Sequence, residues 1–244
     1  MTKGPIQAAI SDGVLTFTWM FCASAIEVVV FIIESTLGVQ GNYMFSLIIL
    51  TTVVAFIIFV FDAMAEALGG ASFNPAGNAT MYAAGMPGDT LVSMALRFPA
   101  QAAGAVAGAI AIKEVMPIQY KHMLGGPSLK VDPHTGAIAE GVLTFLISLV
   151  VLIVVIRVRG ALLFKTWLLA VATVVLVVAG SGYTGPSMNP ANAFGWAYLN
   201  DKHNTWEHFY VYWISPFIGA TAAAVVFRVL FPPPKKQKKS KKVE

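Results

Sequence analysis

Apolar residues run through this chain in six long stretches, at about 13–33, 43–65, 90–112, 136–156, 165–181 and 208–230. A helix needs about 20 mainly apolar residues to cross the hydrocarbon of a bilayer, and each stretch comes close to that length. Two further apolar segments, opening at Pro75 and Pro190, run for only about ten residues and are too short to cross. Each begins Asn-Pro, a helix-capping residue followed by the residue best tolerated in a first turn. Small or turn-forming residues lead into each: Gly69, Gly70, Ala71 and Ser72 in one case, Gly182, Gly185 and Pro186 in the other. The pattern predicts an all-α membrane fold of six transmembrane helices and two re-entrant half-helices. Irregular backbone at membrane depth is tolerated only where it is buried in protein or lines a wet cavity.

The chain also repeats itself. Asp12-Gly13-Val14-Leu15-Thr16-Phe17 is matched by Glu140-Gly141-Val142-Leu143-Thr144-Phe145. Asn74-Pro75-Ala76 recurs as Asn189-Pro190-Ala191, an offset of 115 that also carries Gln101 onto Pro216. The small-xxx-small pair Gly104 and Gly108 falls at that offset on Gly219 and Ala223, a spacing that lets helix backbones approach closely. Repeat one is expected at about 8–113 and repeat two at about 134–230, inside one membrane domain over 1–231 that is followed by a tail at 232–244. Three spans per half invert the second half relative to the first. Inverted repeats put their functional site near the midplane, where broken helices meet.

Composition agrees with lipid as the main solvent. Hydrophobic residues make up 57% and charged residues 11%, with mean hydropathy +0.73. A soluble domain carries about 25% charged residues. The net charge of +4 belongs to the tail, where six lysines lie between Lys235 and Lys242. Without residues 235–244, ten basic and eleven acidic residues remain. The run reads as a solvated cytosolic tail, and no nucleic-acid partner is expected. Arg157, Arg159 and Lys165 crowd the loop after span four, and positive loops stay in the cytosol, so both termini are expected there. The single cysteine, Cys22, excludes an intrachain disulfide and a Cys-rich metal site. The N-terminus lacks the pattern of a cleaved signal, so span one is expected to serve as an uncleaved insertion signal.

With two Asn-Pro-Ala triplets opening short helices in equivalent repeat positions, residues 8–230 resemble the aquaporin, or major intrinsic protein, family. Gly125-Gly126-Pro127-Ser128-Leu129, His134-Thr135-Gly136-Ala137, Tyr183-Thr184-Gly185-Pro186 and the Pro232-Pro233-Pro234 lysine tail are most similar to the small basic intrinsic proteins of plants. Members of that subgroup commonly alter the first triplet, whereas this chain keeps Ala76. The resemblance implies a passive channel for water and small neutral solutes in the endoplasmic reticulum membrane. It also implies no cofactor and a homotetramer whose protomers each hold a pore.

By the same resemblance, Asn74, Pro75, Ala76, Asn189, Pro190 and Ala191 form the central constriction, where the half-helices meet tip to tip. Two asparagine amides donating to one water would turn its protons outward and break a proton wire, while the positive dipole ends repel cations. The family's outer filter maps by position onto Val54, Val177, Pro186 and Asn192. Typical water-selective members have histidine at the second of these and arginine at the fourth. A wider, less polar filter is therefore expected, which leaves hydrogen peroxide and other small neutral solutes open.

Asp12 and Glu140 resemble the family's buried carboxylates, which accept hydrogen bonds from the half-helix loops and serve as scaffold. Asp62 and Glu66 are expected to be solvated, and His122, His134, His203 and His208 fall in loops or at span ends without metal-ligand spacing. Asn78-Ala79-Thr80 is a glycosylation sequon, but inside a half-helix entering from the cytosol no sugar is expected. Lys241-Lys242-Val243-Glu244 matches the dilysine pattern read by a coat-protein receptor that retrieves membrane proteins. No nucleophile, base and orienting group converge, so an enzyme is not expected. Two other readings stay open. A secondary transporter would need charged midplane groups for a coupling ion. A structural membrane protein would have a vestigial pore.

Overall fold

In a computed structural model the protein is described over residues 4–232. The tail lysines Lys241 and Lys242 lie outside the described residues. Span one is built from α1 (Pro5–Ser24) and α2 (Ile26–Leu37), which meet at Ala25. The chain continues through α3 (Tyr43–Ala67), the half-helix α4 (Pro75–Ala83) and α5 (Leu91–Val115). The second half runs through α6 (Pro133–Ile156), α7 (Leu162–Gly180), the half-helix α8 (Pro190–Leu199), α9 (Trp206–Phe209) and α10 (Ser215–Leu230). A π-helical turn at Tyr210–Ile214 joins α9 to α10 and makes one span of 25 residues. Such a turn absorbs one extra residue just ahead of Pro216, whose ring cannot supply a backbone donor.

Six helices are thus long and apolar enough to cross a bilayer, and among the described residues there is no strand. Span one starts eight residues earlier and ends four later than its apolar core suggested: Pro5 opens it in the first turn and Gly38, left-handed at φ +67°, closes it. The outside of the bundle is apolar: α3 buries only 6% of its most apolar window within the protein. Ile48 and Phe56 on that helix stand exposed, as suits a helix in an apolar surrounding.

Glycine sets the two closest helix crossings. A Cβ placed on Gly104 of α5 would lie 2.3 Å from the carbonyl oxygen of Gly13 on α1. Its repeat mate Gly219 on α10 would put a Cβ 2.2 Å from the carbonyl oxygen of Gly141 on α6. Without side chains there, α1 packs directly on α5 and α6 directly on α10. Between the halves, Val54 of α3 packs with Ala170 and Val174 of α7. The half-helices then lock the repeats together. From the first repeat, α4 sends Met81 and Ala83 against Leu152, Ala224 and Phe227 of the second. From the second, α8 sets Ala191 and Trp196 against Met20, Ala105 and Ala109 of the first.

Candidate functional site

The two half-helices have 9 and 10 residues, which at about 1.5 Å per residue makes them roughly 14 and 15 Å long. End to end they match a hydrocarbon core of about 30 Å. Their N-termini are joined by reciprocal bonds. Asn74 Nδ2 donates to the carbonyl oxygen of Met188 at 3.0 Å, and Asn189 Nδ2 donates to that of Phe73, also at 3.0 Å. Each asparagine also caps its own helix. Asn74 Oδ1 accepts from Ala76 N at 2.9 Å, and Asn189 Oδ1 accepts from Ala191 N at 3.1 Å and Asn192 N at 3.3 Å. Both residues are extended, with φ −141° and −148°, as N-caps are. Every Nδ2 carries two hydrogens, so one remains on each amide beyond the cross-repeat bond. Pro75, Ala76, Pro190 and Ala191 are buried behind them.

Two buried carboxylates suspend the loops that lead into these caps. Asp12, fully buried, accepts from Ser72 N at 2.8 Å. Glu140, also fully buried, accepts from Ser187 N at 2.8 Å, Met188 N at 3.0 Å and the Thr184 hydroxyl at 2.9 Å. Thr184 is held in turn, its carbonyl accepting from Ser128 N at 2.8 Å and from the Tyr212 hydroxyl at 3.0 Å. Met188 sits at φ +49°, a left-handed conformation that costs a non-glycine residue about 1–2 kcal/mol. Bonds at both its N–H and its carbonyl oxygen hold it there.

The first carboxylate has a cation and the second does not. Arg97 grips Asp12 with two bonds, Nε to Oδ2 at 2.6 Å and Nη2 to Oδ1 at 2.8 Å. The same guanidinium reaches Asp89 Oδ1 at 2.5 Å and the Gly70 carbonyl at 3.2 Å. Gln101 Nε2 donates to Asp12 Oδ2 at 2.6 Å and to Asn78 Oδ1 at 2.9 Å, and Asn78 Nδ2 closes onto Asp89 Oδ2 at 2.9 Å. Among the described residues no basic side chain pairs with Glu140. In the sequence Arg97 and Asp89 belong to no motif, and Asn78 shows only as part of a sequon. The available signal was an arginine inside an apolar span, which needs a buried partner.

At the outer positions, Val54 is buried against Ala170 and Val174, one helical turn before Val177 on α7. Val177 is 37% exposed. Pro186 packs over Gly180 at the end of α7, and Asn192, half-buried, is the third residue of α8. Asp62 and Glu66 are exposed. His208 is buried at the head of the last span against the rings of Phe194 and Tyr212. No group of three or more metal-ligating side chains occurs among the described residues.

Residues 3–227 match the model of the major intrinsic protein family. The chain belongs to that family. It is a passive membrane channel for water or other small solutes, and not an enzyme. It is 56% identical over 236 residues to Aquaporin SIP1-2 of Zea mays, covering 96% of this chain and 97% of that one. It is 52% identical to Aquaporin SIP1-1 of Arabidopsis thaliana, covering 98% of each chain. The solved aquaglyceroporin from Plasmodium falciparum superposes with a TM-score of 0.71 at 20% identity, over 94% of this chain and 98% of that one. At that identity the likeness is one of fold.

Proposed function

We propose that this channel conducts water together with other small neutral solutes, hydrogen peroxide among them, across the endoplasmic reticulum membrane. The observation that carries the reading is the pair of reciprocal asparagine bonds, which set two helix N-termini against one point and leave one amide hydrogen on each side. A passing water accepts from Asn74 and Asn189, turns its own protons away and breaks the proton wire. The two positive helix ends hold cations off. Val54, Val177, Pro186 and Asn192 make the outer filter, which lacks a fixed positive charge, so ion exclusion rests on the centre. Asp12 and Glu140 are scaffold. The chain works as a homotetramer with both termini in the cytosol, where Lys241 and Lys242 meet a coat-protein receptor.

Stopped-flow shrinkage of liposomes carrying the purified protein tests this reading, with water, glycerol and peroxide compared. Water permeability no higher than that of empty liposomes would sink it. Asn189→Phe should abolish the flux. Asn192→Arg should narrow the range of solutes passed, and an unchanged range would remove Asn192 from the filter.

A further inference from the structure

Phe73 immediately precedes Asn74, and its carbonyl oxygen is the acceptor for the Asn189 amide at 3.0 Å. Its side chain therefore starts within one residue of the point where the half-helices meet. The Phe73 ring lies flat on Trp19 of α1, with centroids 4.1 Å apart and planes 16° from parallel. Phe61 of α3 closes the group edge-on, its centroid 5.2 Å from Trp19 and 6.0 Å from Phe73. Phe61 is 2% exposed, whereas Trp19 and Phe73 are only half-buried.

Phe73 stands on non-helical backbone at the junction of the half-helices, where backbone must be buried in protein or line a wet cavity. Its ring starts from that junction and is left partly uncovered by Trp19 and Phe61. Trp19 lies two helical turns beyond Asp12, on the same inward face of α1. Phe61 backs the stack and keeps the rings from swinging aside. The second repeat has no equivalent: Met188 stands where Phe73 does, and Ile147 where Trp19 does.

We propose that the Trp19–Phe73 stack is a size-selecting step of the channel, set beside the central asparagines and independent of the outer filter. This rests on the channel reading above. Flat, braced rings give an apolar wall past which water moves in file, while a polyol meets them sideways. With the outer positions filled by valines, proline and asparagine, discrimination by width falls to this stack.

Proteoliposomes carrying wild type, Phe73→Ala, Trp19→Ala and Phe73→Ala/Asn192→Arg provide the test, read as the ratio of glycerol to water permeability. Phe73→Ala and Trp19→Ala should each raise that ratio, Phe73→Ala by about tenfold, one decade of rate. Adding Asn192→Arg should lower it again, as two steps in series require. Independently, Phe73→Cys in a Cys22→Ala background should lose water flux to a membrane-impermeant thiol reagent. An unchanged ratio in both alanine variants would overturn the proposal. So would unblocked flux through Phe73→Cys, an assay that still decides if the alanine variants do not fold. Wild-type water flux above empty liposomes separates either failure from a failure of the channel reading.

Discussion

Replacing Arg97 by methionine keeps most of the stem and removes the charge from the buried cluster around Asp12. The guanidinium makes four hydrogen bonds there, two of them to Asp12, and the two side chains are 7% and 0% exposed. Breaking a buried ion pair from one side costs about 3–5 kcal/mol, because the carboxylates left behind, here Asp12 and Asp89, keep their desolvation without their cation. Ser72 N and Gln101 Nε2 still donate to Asp12, and Asn78 Nδ2 and the Ser93 hydroxyl to Asp89, so the low end, about 3 kcal/mol, is expected. At roughly 2–4 °C per kcal/mol for a chain of this size, the melting temperature should fall by about 6–12 °C. Adding Asp12→Asn should recover part of that loss, since it removes one of the two carboxylates left without their cation, while Asp89 keeps its bonds from Asn78 and Ser93. Circular dichroism melts of wild type, Arg97→Met and Asp12→Asn/Arg97→Met in one detergent measure both steps. A single variant melting within about 2 °C of wild type would refute the reasoning. So would a double variant no more stable than the single one.

Gly104→Ala and Gly219→Ala should each destabilise by about 1–3 kcal/mol through overpacking, since their added methyls would strike the backbone of the facing helix. Gly125→Ala, where nothing lies within 4 Å, should melt like wild type, and equal melts for all three would exclude the close-crossing argument. Asp132 caps α6 by accepting from His134 N and Thr135 N, each at 3.1 Å, and these bonds, those from Thr135 foremost, hold its carboxyl below the usual carboxylate range. Its folded pKa is depressed, so its contribution is complete above the unfolded value and is lost as pH falls through the folded one. Asp132→Ala should therefore melt below wild type at neutral pH, and the gap should close in acid; a gap independent of pH would remove the cap from the account.

The six spans and both half-helices were legible because the bilayer writes its thickness into the sequence as apolar runs, and because Asn-Pro marks a helix start chemically. Asp12 and Glu140 were legible through the repeat. The cluster they belong to was not. Arg97 lies 85 residues from Asp12, and nothing in its neighbourhood announces the partner. Its repeat mate at the 115 offset is Tyr212, so the duplication that exposed the carboxylates concealed the cation. The break at Ala25 left no mark either, and the π-turn at Tyr210–Ile214 had only Pro216 to announce it, a residue equally consistent with a plain helix start. Asn78 shows in the sequence only as a sequon within a half-helix, and a three-residue pattern carries no information on its buried partners; it is 4% exposed and bonded to Asp89 and Gln101.

The cross-bonds between the triplets also bear on how the protein is made. Asn74 finds its acceptor 114 positions later, and Asn189 finds its own 116 positions earlier. Synthesis runs from the N-terminus, so repeat one enters the bilayer with its re-entrant segment capped but without its partner across the centre. That segment must wait while three more helices are threaded. The centre of the pore therefore cannot be tied together until residue 189 has been made, with the last span, α10, still to follow.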